Sequence, residues 1–191
     1  MRRRTARICL VLAVGILGTA CGVDEARMDC GENDDLSAFI LAAQAVPSAS
    51  LIPCIDSLPT GWDLQGSETV DGAFSFWLAS DRAGMQAVRV ELVASCDVAT
   101  AVEVTPSADE AGTRRFEEPL SLTPTFSADR FYTFPGGCVR VQYRFATSDS
   151  TLVLQADQAF SFRPREAIVD RLADLGLLLC GAGAPECPGG D

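Results

Sequence analysis

The 191-residue chain contains no histidine, and its 15 basic residues are all arginine. Without imidazole there is no Ser-His-Asp triad, no Cys-His nucleophile and no His-ligated zinc, and without a lysine amine there is no Schiff base. The 8 cysteines include no Cys-x-x-Cys spacing, which sets aside the common thiol-redox and zinc-binding patterns. No internal repeat is visible. The acids Asp24, Glu25, Asp29, Glu32, Asp34 and Asp35 do not make an EF-hand, because Gly31 stands third rather than sixth counted from Asp29. They read as a solvated tether and as complements to a helix dipole, so neither a metal nor a cofactor is expected. With 48% hydrophobic residues, the chain is not disordered, and its length suits one domain plus a short extension.

What is present begins with a leader. Arg2, Arg3, Arg4 and Arg7 make a basic start, Ile8 to Gly18 is apolar, and Thr19-Ala20 are small. That order is a secretory signal over residues 1–20. The apolar run falls well short of the ~20 residues that a helix rising ~1.5 Å per residue needs to span a bilayer. Leu17-Gly18-Thr19-Ala20-Cys21 resembles the lipobox of bacterial lipoproteins, with Gly18 standing where that family usually has leucine. The resemblance implies diacylglyceryl attachment (palmitate-type acyl chains) at Cys21, cleavage just before it, and a place on the outer face of the cytoplasmic membrane. Cleavage by the ordinary signal peptidase near Ala20 is the alternative. The arginine-only basic content and abundant Ala, Gly, Val and Asp resemble a high-GC, actinobacterial-type composition. Parity agrees with lipidation: it leaves Cys30, Cys54, Cys96, Cys138, Cys180 and Cys187, an even set for an oxidising compartment.

Removal of the leader leaves 11 arginines against 26 acids, a net charge of −15. Nucleic acid and anionic wall polymers would be repelled, whereas cations, cationic peptides and neutral sugars remain admissible.

Residues 21–29 read as the lipidated tether, and 30–191 as one extracytoplasmic α+β domain. Asn33-Asp34-Asp35 offer N-cap oxygens to a first helix bearing Leu36, Phe39, Ile40, Ala43 and Val46, which Pro47 stops. Pro47 to Gly61, with three prolines, reads as a stiff return loop. Ala73–Leu78, Val88–Leu92 and Val139–Phe145 alternate with period two, as strands with one buried and one wet face do. Thr151–Gln155 and Ala159–Phe162 read as further strands, Asp97–Pro106 as another, and Ser107–Glu118 as an exposed polar loop. Pro164 opens a last helix whose stripe is Ile168, Leu172, Leu175 and Leu179. The expected fold is α+β: an antiparallel sheet of five to seven strands with one N-terminal and one C-terminal helix, reinforced by disulfides.

Cys96 ends the strand through Val90 and Cys138 begins the strand through Val141, so antiparallel neighbours would bring them within bonding reach. Cys180–Cys187 and Cys30–Cys54 complete the expected set. The candidate binding aromatics are Trp62 and the run Phe131, Tyr132, Phe134, read as an aromatic loop able to stack on sugars or anchor peptides. The resulting expectation is a non-catalytic envelope lipoprotein with a binding or scaffolding role and a lipid-anchored membrane association. Its alternatives are an enzyme acting on cell-surface glycans through two carboxylates, a chemistry that needs neither His nor Lys, and a subunit of an envelope assembly.

Overall fold

The alternating apolar positions of residues 88–92 and 139–143 lie side by side at the centre of the molecule. In the computed structural model, which describes residues 37–70 and 72–179, helix α1 (Ser37–Ala45) precedes strands β1 (Leu51–Ile55), β2 (Trp62–Val70), β3 (Ala73–Ser80) and β4 (Gly84–Val93). Strand β5 (Val102–Val104) and a 3-10 turn (Ala108–Glu110) lead to β6 (Arg114–Ser121), β7 (Ser127–Phe134) and β8 (Gly137–Arg144). Helix α2 (Leu152–Asp157), strand β9 (Phe160–Pro164) and helix α3 (Arg165–Asp174) complete the order.

Seven strands form one antiparallel sheet in the order β2-β3-β4-β8-β7-β6-β5, and β1 and β9 form a second, two-stranded one. Chain direction explains the order. β2 to β4 meander, the chain then crosses to the far edge, and β5 to β8 meander back until β8 docks on β4. The register sets Val88 beside Tyr143, Val90 beside Val141 and Leu92 beside Val139, all at most 1% exposed. These belong to the inner face. α1, through Ala42 and Ala43, and Val46 just after it share a core with Phe74 and Phe76 of β3, Ile52 of β1, and Ile168 and Leu172 of α3. Both helices and the small sheet therefore cover that face, and burying these apolar side chains drives the layering.

The crossover from β4 to β5 runs over the outer face, where Cys96, Val98 and Ala101 pack on Phe116, Phe131 and Cys138. The disulfide joins Cys96, which follows the end of β4, to Cys138, the ladder partner of Val93, with Cα atoms 5.8 Å apart. It pins the start of the crossover to β8.

Local chemistry sets the turns and helix ends. Pro135 and Gly136 link β7 to β8, and the φ of 74° at Gly136 is what a type II turn demands after proline. This turn is clamped from outside: Ser48 Oγ donates to Gly136 O at 2.6 Å, and the Ser50 amide donates to Pro135 O at 3.1 Å. α3 ends where Gly176 takes a φ of 72°, with Leu177 N bonding Leu172 O and Gly176 N bonding Ala173 O, a Schellman arrangement that returns Leu179 to the core.

Several expectations require correction. The stretch read as a stiff return loop contains β1, and Pro53 is tolerated there because β1 has a hydrogen-bonded neighbour on one side only. The polar stretch read as an exposed loop holds the start of β6, where Arg115 is turned inward and pairs with Glu110 and Glu117. Residues 152–155 lie in helix α2, with Thr151 at its N-cap: Asp149 accepts from the Thr151 amide at 3.1 Å as the chain enters α2, and Gln155 is held by Trp62. Leu175 of the expected stripe is 56% exposed, because the helix has ended before it.

Candidate functional site

On the inner face, Glu117 of β6 and Arg130 of β7 are register partners beside Val141. Arg130 is buried and fully engaged: Nε donates to Glu117 Oε1 at 3.0 Å, and Nη1 donates to Asp157 Oδ1 at 2.6 Å and Tyr132 Oη at 3.3 Å. Its guanidinium lies 5.3 Å from the centre of the Tyr143 ring. Tyr143 Oη donates to the same Asp157 oxygen at 2.6 Å, and Tyr132 Oη donates to Glu110 Oε1 at 2.7 Å. Arg115 bridges Glu110 and Glu117, and the Ser107 amide donates to Glu110 Oε2 at 2.7 Å.

This set is closed on itself. Burial alone would raise the Glu110 carboxyl, but hydrogen bonds from Tyr132 and Ser107 and the Arg115 charge outweigh it and hold it below the ordinary value. Glu117 follows the same balance, with burial overcome by Arg115 and Arg130. Burial and the surrounding acids push both Tyr132 and Tyr143 upward. At neutral pH these glutamates are ionised and these phenols protonated. Glycoside hydrolysis needs a carboxylic acid that keeps its proton, the opposite of what Glu110 and Glu117 provide. Their chemistry is structural: Glu110 fastens the 3-10 turn to Tyr132 and Arg115, and Glu117 holds Arg130, which with Tyr143 fastens α2 through Asp157. Beside them lies a groove of about 310 Å³ walled by Pro119, Phe126, Ala128, Val153 and Leu154.

The outer face differs. Alternation points Trp77, Arg89 and Gln142 away from the core, and the order β2-β3-β4-β8 sets them in one transverse row: Gly66, Trp77, Arg89, Gln142. Gly66 lets the indole lie across β2, since a Cβ there would stand 3.2 Å from Trp77 Cζ2 and 3.5 Å from Cε2. Arg89 Nη2 donates to Ser75 Oγ at 3.1 Å and sits 3.6 Å from Glu91 and 3.9 Å from Glu68, while its buried Nε has no hydrogen-bond partner. Asp129, only 2% exposed, takes ion pairs from both Arg140 and Arg144. With its amide oxygen turned to those arginines, Gln142 accepts from each at 3.2 Å, which leaves its NH₂ to face elsewhere. Together with Glu68 and Gln86, Trp77, Arg89, Gln142 and Arg144 line an open cleft of about 340 Å³.

The aromatics singled out from sequence lie elsewhere. Trp62 is buried, edge-on to Phe145, with Nε1 donating to Gln155 Oε1 at 3.3 Å. The expected aromatic loop is strand β7: Phe131 is buried under the crossover, Tyr132 in the ionic cluster, and Phe134 against Phe162. None presents an open ring, so the binding reading of these four is corrected. Cys54 is disulfide-bonded. Its expected partner Cys30, the pair Cys180 and Cys187, and Cys21 with the whole leader and tether lie outside the described residues. Sequence reasoning missed the site formed by Trp77, Arg89 and Gln142, although the outward phase of each was readable; the strand order that assembles them was not. Among the described residues no cluster of three or more His, Cys, Asp or Glu is placed to hold a metal ion. Set against family models, curated proteins and solved structures, the chain matches none.

Proposed function

We propose that the chain is a non-catalytic lipoprotein, moored through Cys21 at the outer face of the cytoplasmic membrane, whose domain holds an envelope component on the outer face of its large sheet. The observation that carries this reading is the row Trp77, Arg89, Gln142: an indole and planar polar groups with spare donors, fixed on three adjacent strands around an open cleft. Small-molecule sites combine such a concavity with a few oriented polar groups. The inner ionic cluster, with Glu110 and Glu117 held ionised, supports a binding role over a carboxylate enzyme. The Cys96–Cys138 disulfide suits an exported domain. No helix among the described residues is long and apolar enough to cross a membrane.

The test has two parts. Cells producing Cys21→Ala should release the protein from the membrane fraction, and full retention would overturn the anchor. The released protein should sediment again with isolated envelopes, and Trp77→Ala should abolish that sedimentation; equal sedimentation of the two would overturn the binding face. A second reading, a subunit of an envelope assembly, is favoured by the apolar inner-face groove, whose Leu154 is 69% exposed. There Leu154→Asp, and not Trp77→Ala, would reduce the size of complexes crosslinked in intact cells.

A further inference from the structure

We infer that the outer-face cleft takes a neutral pyranose glycan, an inference that rests on the binding role proposed above and names its ligand. Three properties of the cleft carry it.

The first is the floor. Trp77 lies across Gly66, with Cζ2, Cε2 and Nε1 at 3.2, 3.5 and 3.7 Å from the place of the missing Cβ. A flat ring supported from beneath by a backbone is a rigid platform, and ordering it on binding costs little because it is already held. The apolar C–H face of a pyranose is the complement of such a platform.

The second is the ring of polar groups. Arg89, with 43% of its side chain exposed, presents guanidinium N–H donors, Gln142 has an amide NH₂ left over once its oxygen serves Arg140 and Arg144, and Glu68, 54% exposed, supplies acceptor oxygens. A sugar hydroxyl both donates and accepts, so donors and acceptors side by side suit vicinal hydroxyls better than they suit an ion of either sign.

The third is charge. Arg89, Arg140 and Arg144 are matched by Glu68, Glu91 and Asp129 within ion-pairing distance. The face is balanced, while the mature chain as a whole is strongly acidic. An anionic ligand would meet a repelling chain and no surplus cation, and a cationic one would meet no surplus carboxylate. At about 340 Å³, with one side open, the cleft accommodates a short stretch of a longer chain.

The experiment uses the Cys21→Ala protein with Trp62→Phe added, so that Trp77 is the single tryptophan of the chain. It is titrated with neutral tetrasaccharides of glucose, galactose and N-acetylglucosamine, and with a uronic-acid tetramer as charged control. At least one neutral sugar should give a saturable change in Trp77 emission. In calorimetry on the Cys21→Ala background, its affinity should fall about tenfold in Arg89→Ala and in Gly66→Val, the second acting by displacing the indole. Far-ultraviolet circular dichroism identifies any variant that fails to fold, and Gln142→Ala then serves in its place. Tighter binding of the uronate than of every neutral sugar would overturn the inference, as would affinities unchanged by these substitutions. If no neutral sugar binds while Trp77→Ala still abolishes sedimentation with envelopes, the glycan falls and the binding face stands. If neither is observed, both fall.

Discussion

Tyr132 spends one hydroxyl twice, donating to Glu110 at 2.7 Å and accepting from Arg130 at 3.3 Å, at 1% exposure. Tyr132→Phe leaves both partners short of a bond inside the protein and should cost about 1–3 kcal/mol in urea denaturation. Arg130→Met removes the cation from Glu117 and Asp157 together and should cost more, about 3–5 kcal/mol, since a buried pair broken on one side strands the other charge. Equal losses in the two variants would show that the cluster is not organised around the arginine. The same residues set a pH dependence. Glu110 and Glu117 have folded-state values below their ordinary 4.5, so their contribution is fully present above that value and is lost as the pH falls through the lower folded ones. Stability should be flat from neutrality to about pH 5 and fall below pH 4.5, with a shallower acid limb in Glu110→Gln. An equally steep limb in that variant would remove Glu110 from the account.

At the scale of elements, two connections carry most of the topology. The Cys96–Cys138 bridge closes a separation of 42 residues that includes β5, β6 and β7, and loop-closure entropy assigns it about 4 kcal/mol. Replacing both cysteines by serine should lower unfolding free energy by about 2–4 kcal/mol and retain the circular dichroism of the sheet; loss of the sheet signal would mean the crossover cannot form without it. The β7–β8 turn is less forgiving. A Cβ on Gly136 would stand 1.8 Å from Ser48 O, so Gly136→Ala adds a backbone collision to the positive-φ penalty and should cost at least about 2 kcal/mol. A thermal midpoint equal to the parent's would contradict the clamp between this turn and the segment after α1.

Elements also differ in how far they could be read in advance. The central strands β4 and β8 were legible because apolar and charged residues alternate on faces that really are dry and wet. α1 and α3 were legible from their spacing and their prolines. β6 was hidden because Arg115 and Glu117 face inward: a strand whose buried face is charged shows no apolar period, and only the partners Glu110 and Arg130 make it tenable. α2 was hidden because the β-branched Thr151 and Val153 favour extended backbone locally, and the contacts that override this preference, Trp62 with Gln155 and Arg130 with Asp157, come from strands far along the chain. The outer-face site was half legible. The outward phase of Trp77, Arg89 and Gln142 follows from period two, whereas their adjacency follows from β8 returning to β4, which no local pattern announces.

Over the whole molecule, one continuous apolar cluster runs from Ala42 through both sheets to Leu179. Two layers sharing one core should unfold together, so Trp62 emission and the far-ultraviolet signal should trace a single urea transition. Separated midpoints would show that the β1–β9 sheet is an independent unit. The rim of the large sheet has its own consequence. β2 is an edge strand of nine residues, with a register shift between Leu64 and Gly66, and Asp63 and Glu68 stand along it. Copies crowded together would be offered this border for strand-to-strand growth into fibres. The irregularity spoils a straight ladder, and like charges would confront each other across the seam, so dense packing need not turn into polymerisation.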